Sequence, residues 1–222
     1  MGHCAPMITS DIAQTAAAQA AIRKVVEDWV LLRDAGRWEE FRSVWHDDGW
    51  MTATWFQGPF EDFIAASRNG VENGVEISHF LGGFTCELWG DRAIAQTKMK
   101  IEQRAEVQGV TVDVTCSGRF YDFLDRRDGR WAITRRQPIY EKDRLDVLDP
   151  CADLRLDPAR LATFPAGYRY LGYVQEVNGS QVMRGLPGLI GPEVESLYDE
   201  GRRWLEGSAT AGVPLCPTDR LA

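Results

Sequence analysis

The sequence predicts an α+β fold: a curved antiparallel sheet forms a cone closed by N-terminal helices, followed by a C-terminal extension that ends in a helix. Helical periodicity is confined to the beginning and the end of the chain, and the middle reads as long strands joined by short turns. Such segregation is typical of α+β folds and not of a βαβ alternation. Long strands curve, and a curved sheet covered by helices leaves an apolar interior suited to small molecules.

Composition narrows the classes of function. The 222 residues carry a net charge of −8 and give a pI of about 5.0, which argues against nucleic acid or an anionic membrane as a partner. The five cysteines are scattered without a CxxC pair, so neither a disulfide framework nor a zinc site is predicted. No apolar run reaches membrane-spanning length, and residues 1–14 lack a secretory pattern. We therefore expect a reduced, cytoplasmic protein.

The first long helix is predicted from an apolar stripe. Ser10-Asp11 can cap its start. The stripe consists of Ile22, Val25, Val26, Trp29 and Val30, which recur at helical spacing. Asp34 follows Val30 on the same stripe. It either ends the helix beside Gly36 or points a carboxylate into an interior cavity, and the pattern leaves both interpretations open.

The next segment alternates between short elements. A second helix is predicted over Trp38 to Trp45, followed by a polar turn at His46-Asp47-Asp48-Gly49. A metal site is not favoured there, because adjacent residues of a turn rarely converge on one ion. Trp50 to Phe56 is a strand candidate, and Pro59 suits the first turn of a short helix that runs to about Arg68.

His79 lies in an apolar, strand-like run from Ile77 to Gly83. Alternation places Ile77, His79 and Leu81 on one face, so the imidazole points where its neighbours bury their methyl groups. A lone histidine at such a position is more often a satisfied core residue than a catalyst. Long strands are predicted over 93–107, 110–124 and 130–140, with hairpin turns at Gln108-Gly109 and Asp128-Gly129.

The composition of the sequence changes after Asp149-Pro150. Residues 151–190 are rich in Pro, Gly and Tyr without clear periodicity. Pro192 then opens an amphipathic helix whose apolar face carries Val194, Leu197, Tyr198, Trp204 and Leu205. We therefore predict a domain over 11–148 and an extension over 149–222 that packs on the domain or on a neighbouring subunit, with 207–222 as a loose end.

Several segments carry a family resemblance. They are Asp34 with Trp38 after it, His79-Phe80-Leu81-Gly82-Gly83, Asp128-Gly129-Arg130-Trp131 and Pro138. Through these segments, residues 20 to 145 resemble the SnoaL-like branch of the NTF2-like superfamily, particularly scytalone dehydratase and more distantly the hexachlorocyclohexane dehydrochlorinases. The histidine segment is the specific part, and the Asp-Gly-x-Trp hairpin marks the superfamily without carrying a function.

The resemblance implies a buried Asp–His pair in which His79 is the catalytic base and Asp34 orients and supports the ring. The chemistry agrees, because a neutral imidazole in an apolar cavity is a usable base near pH 7. A carboxylate within hydrogen-bond reach fixes the tautomer of the imidazole and raises its pKa, which offsets the effect of burial.

Other positions depart from the scytalone dehydratase pattern. The place of its second histidine falls near Gln103, which cannot shuttle a proton. Its two tyrosines fall on about Arg33 and Ala53, and its asparagine falls near Arg119. These four positions are predicted to contact a different substrate, and inward-facing arginines would suit a phenolate, carboxylate or enolate oxygen.

Aromatic residues are frequent on the predicted helix and sheet faces. Core packing explains most of them, but Trp29 and Tyr121 are candidates for contact with an aromatic substrate. The superfamily also includes formaldehyde-releasing lyases that act on lignin dimers, so a lignin-derived substrate is one option. Whether Arg135 and Arg136 face the pocket stays open.

The leading hypothesis is a lyase that needs no cofactor, in which His79 removes a proton and water, halide or a one-carbon fragment leaves. Neither a GxGxxG fingerprint nor a GxxxxGK[ST] phosphate loop is present in the sequence. The alternatives are an isomerase or cyclase of the same fold, a non-catalytic small-molecule-binding module, and a small dioxygenase subunit. By analogy with the family, we expect a homo-oligomer, either a trimer or a dimer.

Overall fold

The computed structural model describes residues 6–207, with side chains from residue 12 onward. The helices are α1 (Pro6–Asp34), α2 (Trp38–Arg42), α3 (Phe60–Glu72), α4 (Pro158–Leu161), α5 (Arg169–Val177) and α6 (Pro192–Leu205). The strands are β1 (Trp45–Thr52), β2 (Gln57–Pro59), β3 (Glu76–Trp89), β4 (Arg92–Val107), β5 (Val110–Arg127) and β6 (Arg130–Val147). The predicted α+β class is confirmed.

The six strands form one sheet in the order β2-β1-β6-β5-β4-β3. The strands β3 to β6 form the predicted antiparallel meander, while β1 pairs with β6 in parallel. Both predicted hairpin turns have two residues with positive φ: 55° and 77° at Gln108-Gly109, and 51° and 79° at Asp128-Gly129. Two successive positive φ angles are typical of type I′ turns, which match the twist of the flanking strands.

The sheet is curved but not closed, since β2 and β3 remain its edges. Register irregularities interrupt β3 between Leu81 and Phe84, and β5 at Ser117/Gly118 and Phe123/Leu124. Such bulges bend a strand and increase its twist. The main core lies between the inner face of the sheet and α1, α3 and α5, and a smaller core lies between the outer face and α6.

Several boundaries differ from the prediction. The helix α1 begins at Pro6, before Ser10-Asp11, and α2 ends at Arg42. The expected polar turn at 46–49 is part of β1, which joins β6 through the pairs Trp45↔Ile133 and Trp50↔Arg135. The prediction of a turn was wrong because it relied on polarity and Gly49. A Cβ at Gly49 would lie 2.9 Å from the Trp45 ring and the His46 carbonyl, so glycine serves packing inside a strand.

The C-terminal part of the described chain packs on both faces of the sheet. The helix α5 contributes Leu171 and Val174 to the main core, and α6 contributes Val194, Leu197 and Trp204 to the outer one. None of the helices within residues 6–207 has the length and apolarity to cross a membrane. The division at 148/149 stays a prediction, and the loose end predicted for 207–222 lies almost entirely outside the described residues.

Candidate active site

Asp34 and His79, the pair that the family resemblance implies, are joined by hydrogen bonds. The Asp34 Oδ1 atom lies 2.8 Å from His79 Nδ1, and Oδ2 accepts a hydrogen bond of 2.6 Å from the backbone N–H of His79. Both oxygens of one carboxylate therefore hold a single residue of β3 by its ring and its backbone. Asp34 is the last residue of α1 and also turns its carboxylate toward His79, so both interpretations left open by the sequence hold.

The charges around the pair fix the tautomer of His79. Burial would raise the pKa of Asp34, but the hydrogen bond and charge of His79 and the charge of Arg33 lower it overall. An ionised carboxylate can only accept, so His79 Nδ1 carries the proton and Nε2 carries the lone pair. Within the described part of the chain, the hydrogen bonds of His79 are made by its backbone N–H and by Nδ1, both with Asp34, and leave Nε2 unbonded.

His79 is held neutral by its surroundings. Burial lowers its pKa below the ordinary value, Asp34 raises it again in part, and the charges of Arg33 and Arg136 lower it further. The ring is packed edge-on against Trp29, with centroids 5.4 Å apart, and its side chain is only 7% exposed. A neutral imidazole with a free Nε2 lone pair is the form that accepts a proton near neutral pH.

Two buried arginines lie on the inner side of the sheet near the pair. Arg33 Nη1 donates to Asp34 Oδ1 at 3.2 Å, and its buried Nε has no hydrogen-bond partner among residues 6–207. Arg136 donates to Asp122 through Nε at 2.6 Å and Nη2 at 2.8 Å, and neither side chain of this ion pair is exposed. The Arg136 guanidinium stacks on Trp29 and Phe120, at 4.2 Å and 3.9 Å from the ring centroids.

A cavity of about 30 Å³ adjoins the pair. Its wall is mostly apolar and aromatic, and its polar lining consists of Arg33, Thr54, His79, Tyr140 and Gln175. A cavity of roughly 150 Å³ is needed to hold benzene. An aromatic ligand therefore requires the side chains that line this cavity to move outward.

The wall of the cavity contributed by α5 carries a chain of buried polar groups. Thr54 Oγ1 donates to Gln175 Oε1 at 2.5 Å, and Gln175 Nε2 donates to Gln103 Oε1 at 3.1 Å. The Tyr140 hydroxyl lies near this group, and burial raises its pKa well above the ordinary value although Thr54 lowers it in part. These hydrogen-bonded groups on the α5 side are all uncharged, in contrast to Arg33 and Asp34 on the other side of the cavity.

Most of the predicted site residues lie together. Trp29, Arg33, Ala53 and His79 line the cavity, and Gln103 contacts it through Gln175. Side chains that line the cavity but were missed include Thr54 and Leu171, besides Gln175. Leu171 and Gln175 belong to α5, for which the sequence showed no clear periodicity.

The prediction was wrong for Arg119 and Tyr121, which lie on the outer face of the sheet. Arg119 donates to Glu141 Oε1 at 2.8 Å and to the Tyr198 hydroxyl at 2.6 Å, and the Tyr121 ring packs against Tyr198 of α6. Successive residues of a strand point to opposite faces. Because Phe120 lines the cavity, its neighbours 119 and 121 point away from it.

The structure also shows where Arg135 and His46 lie. Arg135 Nη2 donates to Glu200 Oε2 of α6 at 2.8 Å and so lies on the outer face. His46 is buried, with Nε2 2.7 Å from Asp125 Oδ1, and does not line the cavity. Across residues 6–207, no group of three or more His, Cys, Asp or Glu side chains is arranged to hold a metal ion.

Comparisons with known proteins agree with this architecture. The sequence profile of the SnoaL-like domain matches residues 14–137. A PEP2-like protein of the fungus Fusarium vanettenii is 36% identical over 197 residues, which cover 84% of each chain. That alignment is longer than the matched domain, so the similarity continues beyond it.

Two solved structures share the fold at lower sequence identity. A protein of Novosphingobium aromaticivorans, provisionally named scytalone dehydratase, superposes with a TM-score of 0.50 at 16% identity, covering 67% of this chain and all of that one. A type 2 hexachlorocyclohexane dehydrochlorinase superposes with a TM-score of 0.51 at 18% identity, covering 64% of this chain and 95% of that one. At these identities the similarity establishes the fold alone.

Proposed function

The chain belongs to the SnoaL-like domain family. From this membership, together with the partly buried Asp34–His79 pair, we propose that it is a cofactor-independent lyase acting on a small aromatic substrate. The observation that carries the proposal is the unpartnered Nε2 of a neutral, buried histidine beside a cavity. The names of the two structural neighbours describe a dehydratase and a dehydrochlorinase, which are both elimination activities and support this reaction class.

In the proposed reaction His79 Nε2 accepts a proton from a carbon of the substrate. The electron pair of the broken C–H bond forms the new double bond, and the leaving group departs with the pair of its own bond. Water and halide are the candidate leaving groups of this step. If a one-carbon fragment leaves as formaldehyde, His79 instead accepts the proton of a CH2OH group, and the electron pair of the O–H bond forms the C=O bond. The pair of the broken C–C bond stays on the substrate and takes up the proton that the imidazolium returns. A departing hydroxyl group needs a proton, and the imidazolium formed in the first step can return it.

Asp34 supports this step electrostatically. Its carboxylate accepts from Nδ1 and stabilises the imidazolium as it forms, while its second oxygen holds the backbone of His79 in place. Arg33 adds a positive charge on the cavity wall, and its unpartnered Nε can stabilise an oxygen that becomes negative in the transition state. The same groups would serve an isomerase that works through an enolate, so products decide between the two reactions.

The substrate panel that tests the proposal consists of aromatic alcohols, aromatic halides and β-hydroxylated lignin-type dimers. Product analysis by mass spectrometry, together with chloride and formaldehyde assays, identifies the leaving group. We expect His79→Ala and His79→Gln to abolish turnover while circular dichroism and the melting temperature report a folded protein.

His46→Gln is the matched control, because His46 is also buried beside an aspartate but does not line the cavity. It should retain turnover. Activity that survives His79→Ala would refute the base mechanism. Saturable binding of panel compounds without any product would instead assign the chain to the non-catalytic binding modules. The homo-oligomer and the cytoplasmic location remain predictions.

A further inference from the structure

The cavity is completed by a helix outside the matched SnoaL-like domain. The domain profile ends at residue 137, whereas Leu171 and Gln175 of α5 line the cavity beside His79. The base and its supporting carboxylate therefore belong to the family segment, and part of the wall that a substrate contacts belongs to the extension. Residues on this wall are candidates for setting which substrate is accepted.

Gln175 is the polar side chain that α5 places in this wall. It is 5% exposed, and each of its two polar atoms has one partner: Oε1 accepts from Thr54, and Nε2 donates to Gln103. A primary amide offers two N–H groups and an oxygen with two lone pairs. One N–H and one lone pair of Gln175 are thus left without a partner within residues 6–207, on a side chain that lines the cavity.

The bonds to Thr54 and Gln103 also hold the amide in one orientation. The donor hydroxyl of Thr54 directs Oε1 and the acceptor oxygen of Gln103 directs Nε2, so the remaining donor and acceptor have fixed directions. A preorganised donor and acceptor of this kind recognises a neutral oxygen: a hydroxyl can use both groups, and a carbonyl can use the N–H.

Gln103, which binds the Gln175 amide, is also separated from the base. His79 pairs with Ile101 on β4, and Gln103 is two residues further along that strand on the same face. This separation is about 7 Å along the strand. A substrate can therefore place one end at His79 and an oxygen at the amides.

We propose that Gln175 recognises a neutral hydroxyl or carbonyl oxygen at the end of the substrate remote from the bond that breaks, and so determines substrate specificity. This inference rests on the proposed function, since it concerns the same cavity. The substrate would then be an aromatic compound that carries such an oxygen. This oxygen is a different atom from the one that Arg33 would stabilise at the reacting end.

The test uses p-cresol and p-xylene, which have the same shape but differ by a hydroxyl in place of a methyl group. Their affinities for the full-length protein are measured by isothermal titration calorimetry. In an apolar cavity the buried hydroxyl would lack a partner and p-xylene would bind more tightly. We expect the wild-type protein to prefer p-cresol, and Gln175→Leu to weaken p-cresol binding roughly tenfold while p-xylene binding is kept.

Two further variants secure the interpretation. The double variant Thr54→Val with Gln175→Leu removes both partners of the buried bond and serves if the single variant fails to fold. Gln96→Leu is the matched control, because Gln96 lies on the outer face and accepts from Arg119. It should leave the preference unchanged. Once a substrate is found, Gln175→Leu should raise KM for oxygen-bearing substrates more than it lowers kcat.

Each failure points to a different error. An unchanged preference for p-cresol in Gln175→Leu and in the double variant overturns the inference, as does a wild-type protein that binds p-xylene more tightly or does not bind p-cresol. If His79→Ala still abolishes turnover in those cases, the lyase function stands without it. If the preference depends on Gln175 but no elimination product forms, the lyase function fails and the recognition site remains.

Discussion

Replacing Asp34 by Asn tests the mechanism most directly, because the two side chains have the same shape but different hydrogen-bonding capacity. The carboxylate accepts at both oxygens, from His79 Nδ1 at 2.8 Å and from the His79 backbone N–H at 2.6 Å. An asparagine keeps one acceptor and gains an NH₂ group. If its oxygen stays on the backbone N–H, the NH₂ group donates to Nδ1 and shifts the proton of the neutral ring to Nε2. The lone pair that acts as the base is then lost.

The expected loss follows from the bond that is removed. A hydrogen bond to a charged group contributes about 1.5–3 kcal/mol, and here it stabilises the imidazolium of the transition state. At 1.36 kcal/mol per factor of ten, its upper end corresponds to a rate loss of roughly a hundredfold. The unfavourable tautomer adds to this loss. We therefore expect Asp34→Asn to lower kcat/KM by about a hundredfold or more.

The pH dependence gives a second readout. Only neutral His79 can act as the base, so kcat/KM rises with pH through the pKa of His79 in the free enzyme. Burial, only partly offset by Asp34, lowers this pKa below its ordinary value of 6.5, so the wild-type rate should fall only below about pH 6.5. Asp34 raises the pKa of His79 through its hydrogen bond and charge. Its loss should therefore move the acidic limb to still lower pH, with a reduced plateau.

The assay is initial-rate kinetics between pH 4.5 and 9 on the best substrate of the panel, in wild type, Asp34→Asn and Asp28→Asn. Asp28 is the matched control, because it lies on the same helix but pairs with Lys24 at the surface. It should change neither the rate nor the profile. A loss smaller than threefold in Asp34→Asn, or an acidic limb that moves to higher pH, would refute the role given to Asp34.

Two further substitutions test the packing around the site. Asp122→Asn leaves Arg136 charged and buried without a charged partner, so urea unfolding should report a loss of about 3–5 kcal/mol. Asp113→Asn breaks a solvent-exposed ion pair on the same strand and should cost at most about 1 kcal/mol. Similar losses in both variants would contradict this difference. Gly201→Ala should lower the melting temperature although alanine favours helices, because the new Cβ would lie 1.9 Å from the Tyr121 hydroxyl. Adding Tyr121→Phe to this variant removes the hydroxyl and should restore part of the lost stability. If it restores none, this clash is not the cause.

The fold and the two members of the proposed catalytic pair could be predicted because each is marked by a local pattern. Turn dipeptides with positive φ mark the hairpins, and the helical stripe of α1 carries Asp34 to the interior as its spacing indicates. What brings Asp34 to His79 is a contact between residues 45 positions apart, and the sequence alone offers no distance for it. The family resemblance supplied that step, and the hydrogen bonds then give it a geometry.

The misplacement of Arg119 and Tyr121 has a different cause, since β5 does carry the signal for its two faces. Val112, Val114 and Cys116 are fully buried on the inner face and alternate with polar residues, so odd-numbered positions point outward. Tyr121 and Phe123 also point outward but are not polar, because α6 covers the outer face at that end of the strand. A strand with two apolar faces must be covered on both sides of the sheet. To predict this, the apolar face of α6 has to be assigned to the outer face of β5, although the two elements are far apart in the sequence.

Local sequence patterns do not predict that Gln175 lines the cavity. The helix α5 has nine residues, and neither its periodicity nor the family segment identifies which of its side chains reaches the cavity. The proposed base is held in place by α1 and β3 of the domain, whereas the polar wall opposite the charged groups depends on how the extension packs. Proteins that share residues equivalent to Asp34 and His79 but differ in this helix should therefore share the proton-transfer chemistry and differ in substrate.

Exchanging residues 169–177 between two such relatives should transfer the preference between p-cresol and p-xylene without moving the acidic limb of the pH profile. A chimera that keeps the preference of its own domain would place recognition within the family segment instead.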